Sequence, residues 1–112
     1  MKQREEIEKL ATALTEANKA AKALENYPDG GTCCMDSPTI TLDGWRRSDI
    51  DKACAIAGVS IEDKMGSSWW KNSRFVRTFE NGMASRRMRQ AEVAVEVLRK
   101  HGFSAAVFYM MD

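Results

Sequence analysis

The chain is expected to be an α+β domain of the ferredoxin-like β-α-β-β-α-β type, with a four-stranded antiparallel sheet and one additional helix in front. Three observations predict it. A heptad-like apolar spacing runs through residues 2–26. Period-two alternation reappears in short segments after residue 39. Two further stretches, near 48–57 and 84–100, carry apolar residues at helical spacing. Strands and helices alternating at these lengths indicate a split β-α-β unit.

The first element is an amphipathic helix over residues 1–26, in which Ile7, Leu10, Leu14, Ala17, Ala21 and Leu24 recur at threes and fours. That is an a/d seam about three heptads long, too short and too rich in alanine to stand alone. It must pack on its own domain or on a second copy, and a homodimer is expected. The rest, 27–112, forms the α+β domain, so the chain is one globular unit in two segments. Tyr27-Pro28-Asp29-Gly30-Gly31 ends the helix. Thr39–Asp43 alternates as a half-buried strand. Gly44-Trp45-Arg46-Arg47 turns the chain, and Ser48 offers an N-cap with Asp49 and Asp51 in the first turn. Ile50, Ala53, Cys54 and Ala57 form that helix's apolar face, closed by Gly58.

Val59 and Ile61 begin a second strand, Gly66-Ser67-Ser68 interrupts it, and 69–80 reads as a third strand up to the Asn81-Gly82 turn. Residues 84–100 form the last helix, with Met88, Ala91, Val95 and Leu98 on one side and Val93 and Val97 nearly opposite. Phe103 to Met111 is apolar on both faces, which suits a central strand. The additional helix, or a dimer partner, is expected to cover the sheet face that the other two helices leave open.

With 112 residues, 44% hydrophobic and 29% charged, the composition is that of an ordinary soluble domain. No apolar run approaches the roughly 20 residues of a membrane span, and the opening MKQREEIEKL lacks a signal-peptide core. Three cysteines without regular spacing suit a reducing compartment, so a cytoplasmic protein is expected. Adjacent Cys33 and Cys34 lack metal-ligand spacing, and a disulfide between neighbours is strained. All three thiols are therefore read as space-filling. A single His101 at a helix end, with no nucleophile or phosphate-loop motif, gives no catalytic constellation. Neither a metal nor a cofactor is expected.

Charge segregates. Residues 27–63 sum to −4 and residues 64–90 to +6 within a chain of net charge +1. Arg86, Arg87 and Arg89 stand in the first turns of a helix, where cations oppose the macrodipole. Such placement suits an anion held jointly by guanidinium forks and free helix N–H groups. Trp69, Trp70, Phe75, Arg74 and Arg77 interleave aromatics with cations, a surface on which bases could stack. A solvated charged edge that blocks aggregation is the competing reading. Against RNA-recognition motifs the match is poor: the third strand lacks their glycines and Ile40-Thr41-Leu42 has no stacking aromatic.

Gly31-Thr32-Cys33 with Asp36-Ser37-Pro38, Gly44-Trp45-Arg46-Arg47, and Arg86-Arg87-Met88-Arg89 with the terminal Tyr109-Met110-Met111-Asp112 together resemble a group of small phage and mobile-element proteins of Firmicutes-type bacteria. Where that group reads Cys-Asn-Phe-Asp, this chain has Cys33-Cys34-Met35-Asp36. The resemblance implies an antagonist of host defence in the bacterial cytoplasm, acting on an effector protein or a nucleotide signal. The expected ligand contacts are Thr32, Asp36, Trp45, Arg47, Arg86, Arg87 and Arg89. Arginines would take phosphates, Asp36 a ribose hydroxyl or base N–H, and Trp45 a base face. A protein surface that blocks a nucleic-acid-binding immune effector is the alternative, and a small nucleic-acid-binding module the third.

Overall fold

The computed structural model describes residues 2–28, 36–65, 72–78 and 85–108. The order is α1 (Arg4–Lys22), β1 (Ser37–Thr41), α2 (Arg47–Ala57), β2 (Ser60–Lys64), β3 (Ser73–Arg77), α3 (Ser85–Lys100) and β4 (Ser104–Phe108). Among the described residues the fold is α+β, with three helices and one four-stranded sheet of order β2-β3-β1-β4. Every neighbouring pair of strands is antiparallel.

Register assigns the two faces. Ile40 lies between Arg74 and Ala105, and Ile61 is opposite Val76. Ile40, Ile61, Val76 and Ala105 join the core cluster beneath the helices. The neighbouring rows carry Thr39 between Phe75 and Ala106, and Ser37 opposite Phe108. Because side chains alternate along a strand, these belong to the far face. Among the described residues no helix packs there.

α1 begins with Glu5 and Glu6 and ends with Lys19 and Lys22, each favoured by the dipole at its end. Its heptad residues Leu10, Leu14, Ala17 and Ala21 are fully buried and Ile7 nearly so. They pack on α2 and α3 of the same chain. The backbones of those two helices stay apart, and α1 lies against both. Packing on its own domain is one of the two placements expected of the seam. α1 joins the core cluster on the helix side of the sheet and not the far face, so its apolar stripe is spent inside its own domain. The alanines explain the choice, because small side chains let a third helix settle close against two others.

Smaller corrections follow from local geometry. β1 begins at Ser37, two residues before the expected start, and ends at Thr41. The extended residue preceding α2 is Arg46, whose carbonyl accepts from Asp49 N and Ile50 N at 3.1 Å each, so Ser48 lies inside the first turn instead of capping it. Gly58 does close α2, with φ at +73° and its N–H on the Cys54 carbonyl at 2.8 Å. In α3, Ala91, Ala94, Val95 and Leu98 face the core, whereas Met88 is exposed. β4 is an edge strand, not a central one. It is covered by α3 on one side and half-buried on the other.

Candidate functional site

α3 starts at the end of the sheet where β1 begins and β3 and β4 finish. There the arginines reach back toward the connector between α1 and β1. Arg86 Nε donates to the Tyr27 carbonyl at 2.7 Å. Arg87 Nε donates to the Asp36 carbonyl at 3.1 Å, and its Nη2 to the Ser37 hydroxyl at 3.4 Å. The two guanidiniums therefore hold both ends of that connector. At Arg86 a carbonyl partner leaves the positive charge uncancelled, and an arginine has five donors, so capacity for an anion persists there. Arg89 instead turns along its own helix to Glu92 at 3.5 Å. Asp36 is buried at 2% exposure beside this cluster.

The far face of the sheet continues the same site. Continuing the Thr39–Phe75 register two residues sets Arg77 beside Ser37, which has Phe108 on its other side. The Phe75 and Phe108 rings meet edge to face with centroids 5.3 Å apart, across β1. Arg77 stands 4.9 Å over the Phe75 ring and is ion-paired with Glu62 of β2. Edge-to-face packing and a guanidinium over a ring both hold aromatic groups in a fixed orientation. Phe75, Arg77 and Phe108 are each only partly buried. Arg77, Phe75, Phe108, Ser37 and Arg87 thus form one run of contacts around the end of the sheet.

The other expected contacts lie at the opposite end, a strand length of about 14 Å away. Trp45 is half-buried against the core, with the Lys2 ammonium 5.2 Å from its ring. Arg47 bonds Asp51 at 3.0 Å, the Ile61 carbonyl, and Asp63 at 3.5 Å. Arg74 is on the helix side of β3 and 7% exposed, so it shares no surface with Arg77. Strand alternation separates residues three apart onto opposite faces. Thr32, Trp69, Trp70, Cys33 and Cys34 lie outside the described residues. The expected ligand cluster is therefore divided, with Arg86, Arg87 and Asp36 at one end and Trp45 and Arg47 at the other; of the separate basic surface, Arg77 joins the first group and Arg74 the second.

Some residues of consequence carried a weak signal or none. Phe108 was legible only as one apolar residue in a strand apolar on both faces. Asp49 is buried at 1% and accepts the Lys2 backbone N–H at 3.0 Å, fixing the start of α1 to the start of α2. Cys54 is buried in α2, and burial pushes its thiol pKa above the ordinary 9.0. His101, just beyond the end of α3, pairs with Glu16 of α1. Among the described residues no group of histidine, cysteine and acidic side chains is arranged to hold a metal, and no helix is long and apolar enough to cross a membrane. No protein-family model, curated protein or solved structure matches the chain.

Proposed function

We propose that this protein is a non-enzymatic binding protein whose ligand is anionic and base-bearing, a nucleotide or the nucleotide units of a single strand. The ligand is held at the end of the sheet where Arg77, Arg86 and Arg87 gather. The observation that carries this reading is the Arg77–Phe75–Phe108 stack, with Arg87 bonded to Ser37 in the row between Arg77 and Phe108. Aromatic faces take bases of any identity by stacking, while arginines hold the phosphates that follow. Compared with the expected cluster, Arg77, Phe75 and Phe108 replace Trp45 and Arg47.

We read Ser37–Phe108 as a ferredoxin-like unit carrying an extra helix. Its support is the element order β-α-β-β-α-β and a sheet of order β2-β3-β1-β4 with antiparallel neighbours throughout. Antagonism of host defence, by sequestering a nucleotide signal or covering a nucleic acid, is the cellular role that the sequence resemblance adds.

The test is direct binding of mononucleotides, cyclic dinucleotides and short single-stranded RNA and DNA. Phe75→Ala should weaken binding by about 1–3 kcal/mol, the worth of one stacked base. Affinity for a single strand should also fall as salt rises. If none of these ligands binds the wild-type protein, the reading is wrong.

A further inference from the structure

The second arginine cluster, at the start of α2, has chemistry of its own. β2 and β3 lose regular register between Ile61 and Lys64. Two guanidiniums enter that irregularity. Arg47 donates to the Ile61 carbonyl, and Arg74 Nη1 donates to the Glu62 carbonyl at 3.2 Å. Both converge on the Asp63 carboxylate, at 3.5 Å from Arg47 and 4.0 Å from Arg74. A shallow, open depression lined by Arg47, Ile61, Glu62 and Asp63 lies there.

Two details do not fit a purely structural role. The Arg74 side chain is 92% buried, yet its Nε has no hydrogen-bond partner. A buried guanidinium left short of partners is costly, and an apolar residue beside Ile40 and Val76 would pack that position better. Asp63, by contrast, has a side chain 92% exposed, so its two long contacts hold it weakly. An exposed, loosely held carboxylate shared by two fixed guanidiniums occupies the place of an oxyanion.

We infer that Arg47 and Arg74 form a second anion site at the N-terminus of α2, built for a phosphate group, in which Asp63 is the internal stand-in that the ligand displaces. Arg47 is held by Asp51 at 3.0 Å and by the Ile61 carbonyl, and Arg74 by the Glu62 carbonyl, so neither needs to rearrange when Asp63 swings out. The positive end of α2 adds to the attraction. Glu62 takes no part, because its carboxylate pairs with Arg77 on the other face.

The test is a titration with inorganic phosphate at constant ionic strength, read by the arginine Nε–H resonances and by the melting temperature. The wild-type protein should show saturable shifts at Arg47 and Arg74. Asp63→Asn should bind about tenfold tighter, since a charged competitor is removed. Arg47→Gln should abolish the shifts. Arg74→Met should also abolish them while leaving the melting temperature unchanged or raised, an outcome that a structural arginine would not give. Acetate in place of phosphate separates a carboxylate site from a phosphate site, and equal shifts with both would overturn the phosphate assignment. No saturable shift in either the wild type or Asp63→Asn would overturn the site, as would identical shifts with chloride. A marked loss of stability in Arg74→Met, with phosphate binding intact, would do the same.

Discussion

Leu14→Ala tests whether α1 is the element that unites the helical layer. Leu14 is fully buried on α1, in the core cluster shared with Ile50 of α2 and Leu98 of α3. Removing a leucine side chain from such a site costs about 3–5 kcal/mol, because three helices cannot all collapse into the gap. For a chain of 112 residues, unfolding entropy near the midpoint converts each kcal/mol into about 4 °C. The melting temperature should therefore fall by about 12–20 °C. Thermal melts followed by circular dichroism, at two widely separated protein concentrations, measure it. The fall should be the same at both, since Leu14 packs within one chain. A loss below about 1 kcal/mol, typical of a surface change, would refute this placement of α1. So would a loss that grows on dilution, the mark of a seam shared with a second copy.

Other consequences can be checked in the same way. Gly58→Ala should destabilise by about 1–2 kcal/mol despite open space around the site, because alanine resists the left-handed backbone at φ +73°; denaturant unfolding reads this. Asp49→Ala should cost about 1–3 kcal/mol by leaving the Lys2 N–H without its buried acceptor. Cys54, in a Cys33→Ser/Cys34→Ser background, should react with an alkylating agent only as fast as the protein opens. Its raised thiol pKa favours the neutral form in the folded state. The stability this contributes is full below about pH 9 and is lost as pH climbs through the higher folded value.

Much of the fold was legible because its elements obey simple periods. The threes and fours of α1, the Gly58 stop and the alternation near Ile40 each correspond to a described element. What the heptad seam could not reveal was its partner, since an a/d stripe looks the same whether it meets two helices of its own chain or one of another. β4 misled for a related reason. An edge strand under a helix can be as apolar as a central one, and the sequence records burial without recording its cause.

The site was legible as chemistry but not as geometry. Arg86 and Arg87 stood out at the wrong end of a helix, and the structure supplies a reason: their guanidiniums hold the Tyr27 and Asp36 carbonyls. Arg74 and Arg77 looked like one basic surface, yet alternation places Arg74 under the helices and Arg77 beside Phe75. Phe108 meets Phe75 only through a pairing of strands far apart in sequence, and no local pattern encodes such a pairing.

The most direct test of the central claim is a chemical-shift map of the protein with a short single-stranded oligonucleotide, read at ring and guanidinium resonances together. The proposed site requires the Phe75 and Phe108 rings and the Arg77 and Arg87 side chains to shift in concert, with one saturation curve. Binding whose shifts are confined to the Trp45 and Arg47 end of the sheet would contradict it, as would saturable binding that leaves both phenylalanine rings unmoved.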